Sequence, residues 1–437
     1  MVTPNHIREK LIETVNKPKT NRYSASKGIS GLLRAQAKYY ERRFGVKLKP
    51  ESEIVATLGS KEGFANIAQA ITAPGDIILA PNPTYPIHQF GFIISGGVIR
   101  NMPAMPDENF LRCLENEVLK SYPKPKVLVV NYPSNPTALT ASIDFYKDIV
   151  SFCKKHDLII LSDLAYSEIY FDANPPPSIL QVNGAKSISV EFTSMSKTYA
   201  MPGWRIGFAV GNERIISALI RVKSYLDYGA FTPIQVAAAA ALNGNQDCVD
   251  EIRQIYKSRR DTLIKSFSNA GWEIPSPASS MFAWAPIPEQ YKDKGSLKFS
   301  KDLMLNASVA VAPGLASAAT AAGRGSRFWT SSESAWHSDS PMIIASCFFK
   351  TLSYWFRIST VPGRLPQCPH RHPILPAWSA SLRPAHFAFN CCVRFGAVSL
   401  GGLSRLLRMR SFGSAASAAT AAATSPSTPS RSGSGAM

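Results

Sequence analysis

The chain has 437 residues, 45% of them hydrophobic, with a formal net charge of +18. That length allows two or three domains around a large core, and no apolar run reaches the roughly 18–20 residues of a membrane helix. The first ten residues lack the apolar centre of a signal peptide. The seven cysteines, scattered and odd in number, form no disulfide framework, so a reducing cytoplasm is the default location.

From the N-terminus, residues 5–45 read as helical, with Ile7, Leu11, Ile12 and Val15 at helical spacing. One interruption, Asn21-Arg22-Tyr23-Ser24-Ala25-Ser26-Lys27-Gly28-Ile29, precedes a second helix from Leu32 to Phe44. Tyr23 in this break suits a loop tyrosine packed locally. Next come a short apolar strand, Ile54 to Leu58, a turn of small residues, Gly59-Ser60-Lys61-Glu62-Gly63, and a helix with Phe64, Ile67, Ala68 and Ile71 on one face. A glycine turn that opens a helix offers free N–H groups and the positive helix end to an anion. By itself it is a common feature of α/β proteins.

Asp76 to Pro81 is a buried strand by pattern and delivers Tyr85 within Pro83-Thr84-Tyr85-Pro86. Lys126 to Asn131 is another and runs into Tyr132-Pro133-Ser134-Asn135-Pro136-Thr137, whose Asn-Pro dipeptide fixes a turn. Leu158 to Asp163 repeats the pattern, with Asp163 at the strand's C-terminal end and Tyr166 three residues on. Ligands of open α/β sheets bind at that edge, although such an Asp equally suits a helix N-cap. Ser187 to Phe192 feeds Ser194-Met195-Ser196-Lys197, and Arg205 follows in Gly203-Trp204-Arg205-Ile206-Gly207. A lysine that is neutral at working pH, through burial or a cationic neighbour, forms Schiff bases with aldehydes. Serine and arginine beside it suit a phosphate dianion. Together they fit pyridoxal 5′-phosphate, whereas Lys197 alone would read as a surface lysine before a turn.

The alternation of strands and helices predicts a parallel sheet with helices on both faces. The strand Ile206 to Gly211 is followed by long helices over 213–270, broken near Gly229 with Tyr228 and Phe231 beside it. Pro275-Ser276-Pro277 marks a hinge, and Met281 to Pro286 and Val309 to Gly314 read as strands of a smaller domain.

These motifs, in this order, resemble the class I/II (fold-type I) aminotransferases that use pyridoxal phosphate, over about 70% of the chain. The lysine segment matches the pattern S-x-S-K-x-x-x-x-x-G-x-R-x-G. The wording of the Tyr23 and Asn135 segments is nearest the alanine/aspartate and LL-diaminopimelate types. The resemblance implies a fold-type I large domain with a mostly parallel sheet, plus an incomplete small C-terminal α/β domain. The expected division is a helical segment at 1–45, the cofactor-binding large domain at 46–274 and the start of the small domain at 275–315.

It also implies site roles. Lys197 forms the Schiff base and then serves as general base. Asp163 pairs with the pyridine nitrogen, and Tyr166 and Asn135 contact the phenolic oxygen. Tyr85 stacks on the ring. Gly59, Ser60, Lys61, Ser194 and Arg205 hold the phosphate, joined by Tyr23 from the other subunit of a homodimer. The implied reaction is ping-pong transamination between alanine, aspartate or a similar amino acid and 2-oxoglutarate or pyruvate, in amino-acid metabolism. A lyase or decarboxylase on the same fold, or an inactive relic, is the alternative. No metal, nucleic-acid or membrane partner is expected.

Family members carry some forty further residues ahead of this start, an arm and a glycine-bearing loop. After about Leu315 the resemblance stops. Residues 313–437 hold 12 of the 48 Lys and Arg but 2 of the 30 Asp and Glu. The excess charge therefore belongs largely to the tail and does not describe a nucleic-acid face. This Ala/Ser/Arg/Pro-rich stretch ends in low complexity, and residues 316–437 fit translation in a shifted frame rather than an evolved domain. Arg357 is the nearest candidate for the family's substrate-carboxylate arginine. Cys368, His370, His372, Cys391 and Cys392 match no standard zinc spacing.

Overall fold

Runs such as Ile77-Ile78-Leu79-Ala80 and Val127-Leu128-Val129-Val130 have no polar side because the sheet they form is covered twice. The computed structural model describes residues 1–317 and 342–345, all within one compact unit of residues 1–365. In chain order the elements are α1 (Asn5–Val15), α2 (Ser30–Phe44), β1 (Ile54–Thr57), α3 (Ser60–Ile71), β2 (Ile77–Asn82), α4 (Ile87–Ile94), β3 (Val98–Pro103), α5 (Glu108–Lys120), β4 (Pro125–Asn131) and α6 (Ile143–Lys155). They continue with β5 (Ile159–Asp163), β6 (Ser189–Ser194), α7 (Met195–Thr198), β7 (Gly207–Gly211), α8 (Glu213–Leu226), α9 (Thr232–Asn243), α10 (Asp247–Asn269), β8 (Phe282–Ala285), α11 (Gly295–Ala307), β9 (Ala312–Pro313) and β10 (Met342–Ala345).

The large sheet has the order β1-β7-β6-β5-β4-β2-β3. Only β7 runs against its neighbours. The link from β6 to β7 holds no crossover helix, only the single turn α7 and a 3-10 turn at Pro202–Trp204, so the chain returns antiparallel. Odd and even strand residues enter different cores. Ile77, Leu79, Leu128 and Val130 meet α1, α2, α5, α6 and α9, while Ile78, Ala80, Val127 and Val129 meet α3, α4 and α8. Each Ile, Leu or Val side chain withdrawn from water in this way contributes about 1.5–3 kcal/mol.

Side-chain caps start several helices: Asp107 accepts from the Phe110 amide, Ser142 from Phe145 and Asn212 from Ile215. Gly45, in the left-handed region at φ 68°, ends α2. The predicted helical stretch 5–45 is thus α1 and α2, and the stretch 213–270 is α8, α9 and α10, with Gly229 at φ 77° in the break. β3 was not expected. Its Arg100 and Asn101 spoil the apolar run, which an edge strand tolerates.

A second sheet, β8-β10-β9, is antiparallel. α10 reaches it from the main core: Val249 packs in the large cluster, whereas Leu263 and Phe267 join Trp272, Ala283, Ala285 and Phe299. Trp272 donates to the Pro286 carbonyl at 2.8 Å, tying the end of α10 to this sheet.

Candidate active site

At one edge of the large sheet, β1, β2, β4, β5 and β6 all end, and β7 begins. Asn131 pairs in register with Asp163, Asp163 with Phe192, and Ser194 with Gly207. Gly59, Ser60, Lys61, Tyr85, Asn135, Tyr166 and Lys197 come within a few residues after these strand ends, Asp163 and Ser194 close their strands and Arg205 stands just before β7, so topology gathers them.

The turn after β1 carries Gly59 at φ 85°. A Cβ there would lie 2.9 Å from Arg205 Cζ, so only glycine lets the guanidinium cross the turn. Arg205, itself at φ 53°, donates to the Leu58 carbonyl at 3.0 Å and to the Pro202 carbonyl at 2.9 Å. Gly207 brings β7 against the same turn, since a Cβ on it would stand 3.2 Å from both Gly59 Cα and Ser60 N. Gly59 gives α3 no side-chain cap, and first-turn N–H groups have no acceptor within a helix. Ser194 caps α7 by accepting from the Ser196 amide at 3.3 Å. Lys197 is the third residue of that turn. The buried Ser196 hydroxyl has no partner among the described residues.

Asp163 is buried and held on both oxygens. Oδ1 accepts from the Ala165 amide at 3.1 Å, and Oδ2 lies 2.9 Å from His88 Nε2. Thr84 Oγ1 sits 2.7 Å from His88 Nδ1. An ionised carboxylate only accepts, so His88 donates from Nε2, and a neutral ring then takes the Thr84 proton at Nδ1. Asn131 donates to the Asp163 carbonyl at 2.9 Å and accepts from the Asn135 amide at 2.9 Å, pinning the Asn-Pro turn. Tyr85 stands 5.9 Å from His88, ring to ring, and Lys61 Nζ is 6.0 Å from the Tyr85 ring. Burial, then the Asp163 charge, raises the Tyr85 phenol pKa, and Arg205 opposes them. Tyr166 is buried against Phe282 of β8, 5.6 Å between ring centres.

Residues 1–326 match the family model "Aminotransferase class I and II". The chain belongs to the class I and II aminotransferases. It is 66% identical over 313 residues to a putative aminotransferase, AatC, of Rhizobium meliloti, covering 72% of this chain and 77% of the relative. To the glutamate-pyruvate aminotransferase AlaC of Escherichia coli it is 48% identical, over 72% of this chain and 76% of the relative. The solved apo structure of BacF from Bacillus subtilis superposes with a TM-score of 0.70 at 32% identity, over 79% of this chain and 87% of that one. This aminotransferase therefore moves an amino group between an amino acid and a 2-oxo acid with pyridoxal phosphate as cofactor. The matches favour transfer over the lyase alternative.

The residues present in the aminotransferase fit that cofactor. A phosphate finds open N–H groups and the Arg205 guanidinium together at the α3 turn, and the strand that pairs with β7 beside that turn leads into α7, whose buried Ser196 hydroxyl has no partner among the described residues. A pyridine nitrogen finds a buried carboxylate held from behind. Tyr23 is the exception within one chain. It is 86% exposed, and its ring contacts Tyr228 at 4.6 Å. Arg357 and the Cys368–Cys392 group lie outside the described residues. So does the stretch 316–437, apart from residues 316–317 and β10. Among the described residues, no cluster of His, Cys, Asp and Glu could hold a metal, and no helix is long and apolar enough to cross a membrane.

Sequence reasoning missed His88, Thr84 and Asn131 as supports. A signal for the first pair was available: a Thr and a His at i, i+4, with His88 inside the mostly apolar stretch Ile87-His88-Gln89-Phe90-Gly91-Phe92.

Proposed function

We propose that Lys197 is the catalytic lysine of a glutamate–pyruvate type transaminase, with Asp163 and Tyr166 as its principal partners. The convergence of five strand ends and the α3 turn on one sheet edge carries this reading. Bound pyridoxal phosphate supplies an aldehyde that captures the amino group and a ring that withdraws electrons from the substrate Cα. Lys197 Nζ removes the Cα proton of the amino acid. Asp163 accepts a hydrogen bond from the ring N–H, and the His88 contact keeps its carboxylate in place. Tyr166 and Asn135 donate toward the phenolic oxygen. Tyr85 covers the ring, which fixes its plane and excludes water from one side. Gly59, Ser60, Lys61, Ser194 and Arg205 bind the phosphate.

The cofactor-binding part spans residues 46–274 after the helical segment 1–45, and a small domain starts at 275–315. The acting form is a homodimer in the cytoplasm. Tyr23, Tyr225, Leu226, Tyr228 and Phe231 all stand exposed around one loop pair. A second copy would cover this apolar patch and receive Tyr23 at its own phosphate turn. The 48% identity to the glutamate-pyruvate enzyme supports alanine and 2-oxoglutarate as the pair.

The test follows pyruvate release from L-alanine and 2-oxoglutarate through a coupled dehydrogenase, with L-aspartate and LL-diaminopimelate as competing donors. Lys197→Ala should remove activity while the folded protein retains its thermal transition. Equal rates for wild type and Lys197→Ala would refute the assignment. Preference for another donor would refute the alanine pairing.

A further inference from the structure

Lys223 on α8 is fully buried, yet no step of the reaction uses it. Its ammonium lies 2.9 Å from Glu62 Oε1 and 2.9 Å from Asp227 Oδ2. A buried ammonium is tolerated only when paired. An apolar side chain of similar length would seal α8 on α3 as well or better, so packing alone does not explain the choice.

Each carboxylate has a second task. Glu62 Oε2 accepts from the Leu58 amide at 2.8 Å, and Oε1 also accepts from Asn66. The Leu58 carbonyl is held by Arg205 at 3.0 Å. Both peptide planes leading into Gly59 are thereby fixed, one from Glu62 and one from Arg205. On the other side, Asp227 Oδ1 accepts from the Gly229 amide at 2.6 Å, and the Asp227 carbonyl accepts from the Ser26 hydroxyl. Gly229, at φ 77°, lies so close to the Ala25 carbonyl that no side chain would fit. Ser26 and Ala25 belong to the loop that begins with Tyr23.

We propose that Lys223 is a positioning residue that joins the Gly59–Lys61 turn to the Tyr23 loop through Glu62 and Asp227, and that it neutralises Glu62 beside the phosphate. This rests on the cofactor reading above. Without the ammonium, Glu62 becomes a carboxylate with no cation beside it in the first turn of α3, where it repels a phosphate dianion and loses the contact that fixes its Oε2 against the Leu58 amide. The loss falls on the phosphate end of the ligand and not on the aldehyde that meets Lys197. The same change frees Asp227, and with it the Ser26 and Gly229 anchors.

The experiment titrates full-length apoprotein with pyridoxal 5′-phosphate and with pyridoxal, which lacks the phosphate, by absorbance and fluorescence. Hydrogen exchange of the apoproteins is recorded alongside. Lys223→Met should weaken the phosphorylated ligand about tenfold or more and pyridoxal by less than about threefold. Exchange should rise together at the hydrogen-bonded amides of Gly28, Ile29, Leu58 and Gly229 while β4 and β5 stay protected. Equal weakening of both ligands, unchanged affinity, or exchange changes confined to α8 would overturn the proposal. If Lys223→Met gives no cooperative unfolding transition, Lys223→Met/Glu62→Gln replaces it. That pair removes the unpaired charge and leaves an amide oxygen for Leu58. It should bind pyridoxal phosphate within about threefold of wild type yet exchange faster at Gly28 and Ile29, and normal exchange there also overturns the proposal. Wild-type apoprotein that fails to bind pyridoxal phosphate would instead sink the cofactor reading.

Discussion

Replacing Glu191 by glutamine tests how a carboxylate inside the sheet is tolerated. Glu191 on β6 is fully buried. It accepts from Tyr40 Oη at 3.0 Å, Ser178 Oγ at 2.5 Å, Ser162 Oγ at 3.1 Å and the Ile179 amide at 3.1 Å. Burial pushes its pKa up from 4.5 to about 7, against the pull of those four donors. With the folded value above the unfolded one, the native state binds the extra proton between the two. Stability from this group is therefore full below pH 4.5 and is lost as pH rises through about 7. At 1.36 kcal/mol per pKa unit the loss amounts to about 3 kcal/mol. Glutamine mimics the protonated acid at every pH, so its hydrogen-bond mismatch is constant and drops out of the pH dependence. Urea unfolding of both proteins from pH 5 to 8.5 should show wild type losing about 2–3 kcal/mol relative to Glu191→Gln. A relative gain with rising pH would mean that the four donors outweigh burial and would refute this balance.

His88→Phe leaves Asp163 Oδ2 and Thr84 Oγ1 without their partner. Loss of one hydrogen bond to a charged group, about 1.5–3 kcal/mol, should lower kcat/KM for alanine about ten- to 150-fold; a change within twofold would contradict the role given to the pair. Gly59→Ala drives a methyl group into the Arg205 guanidinium at a positive φ and should weaken pyridoxal phosphate binding about tenfold or more. Gly75→Ala, also at positive φ but facing open space, should cost stability and leave that affinity unchanged.

The strands and the site turns were legible because a twice-covered parallel sheet leaves unbroken apolar runs, each ended by a turn of Gly, Pro, Asn or Asp. Lys197, Asp163, Asn135 and Gly59 stand at those ends, so position in the pattern and position in space coincide. β3 was illegible because an edge strand with Arg100 and Asn101 lacks the run. The reversal of β7 depends on what the connection cannot hold, which apolar pattern does not register. Tyr23 was legible only through resemblance, since within one chain it faces outward. His88 drew no reading, Glu62 was taken as part of the turn before α3, and Lys223 fell unremarked within the helical stretch 213–270. Their significance comes from partners 75 and 161 positions away in sequence.

Those distant partners share one layer. Along β5, Ile160 packs in the core under α1, α2, α5, α6 and α9, and Leu161 in the core under α3, α4 and α8. Alternation then turns Ser162 to the first side and Asp163 to the second. The contacts agree, since Ser162 meets Glu191 while Asp163 meets His88 of α4. Lys223 and Glu62 belong to α8 and α3, in the same second layer. Both ends of the proposed cofactor site are therefore braced from one side. His88 stands behind the carboxylate proposed for the ring nitrogen, and Lys223 stands behind the turn proposed for the phosphate. The apolar contacts of that layer, such as Phe64 with Phe192 at 4.2 Å, fix its distance from the sheet but carry little directional preference. The two polar pairs supply the direction. A shift of α3 or α4 along the sheet should thus register at the ring or at the phosphate before it registers in global stability. His88→Phe and Lys223→Met are expected to separate in that way, the first mainly in turnover and the second mainly in cofactor affinity. If both instead lowered kcat and affinity in step with Tm, the layer would be acting as plain packing and the directional role would fail.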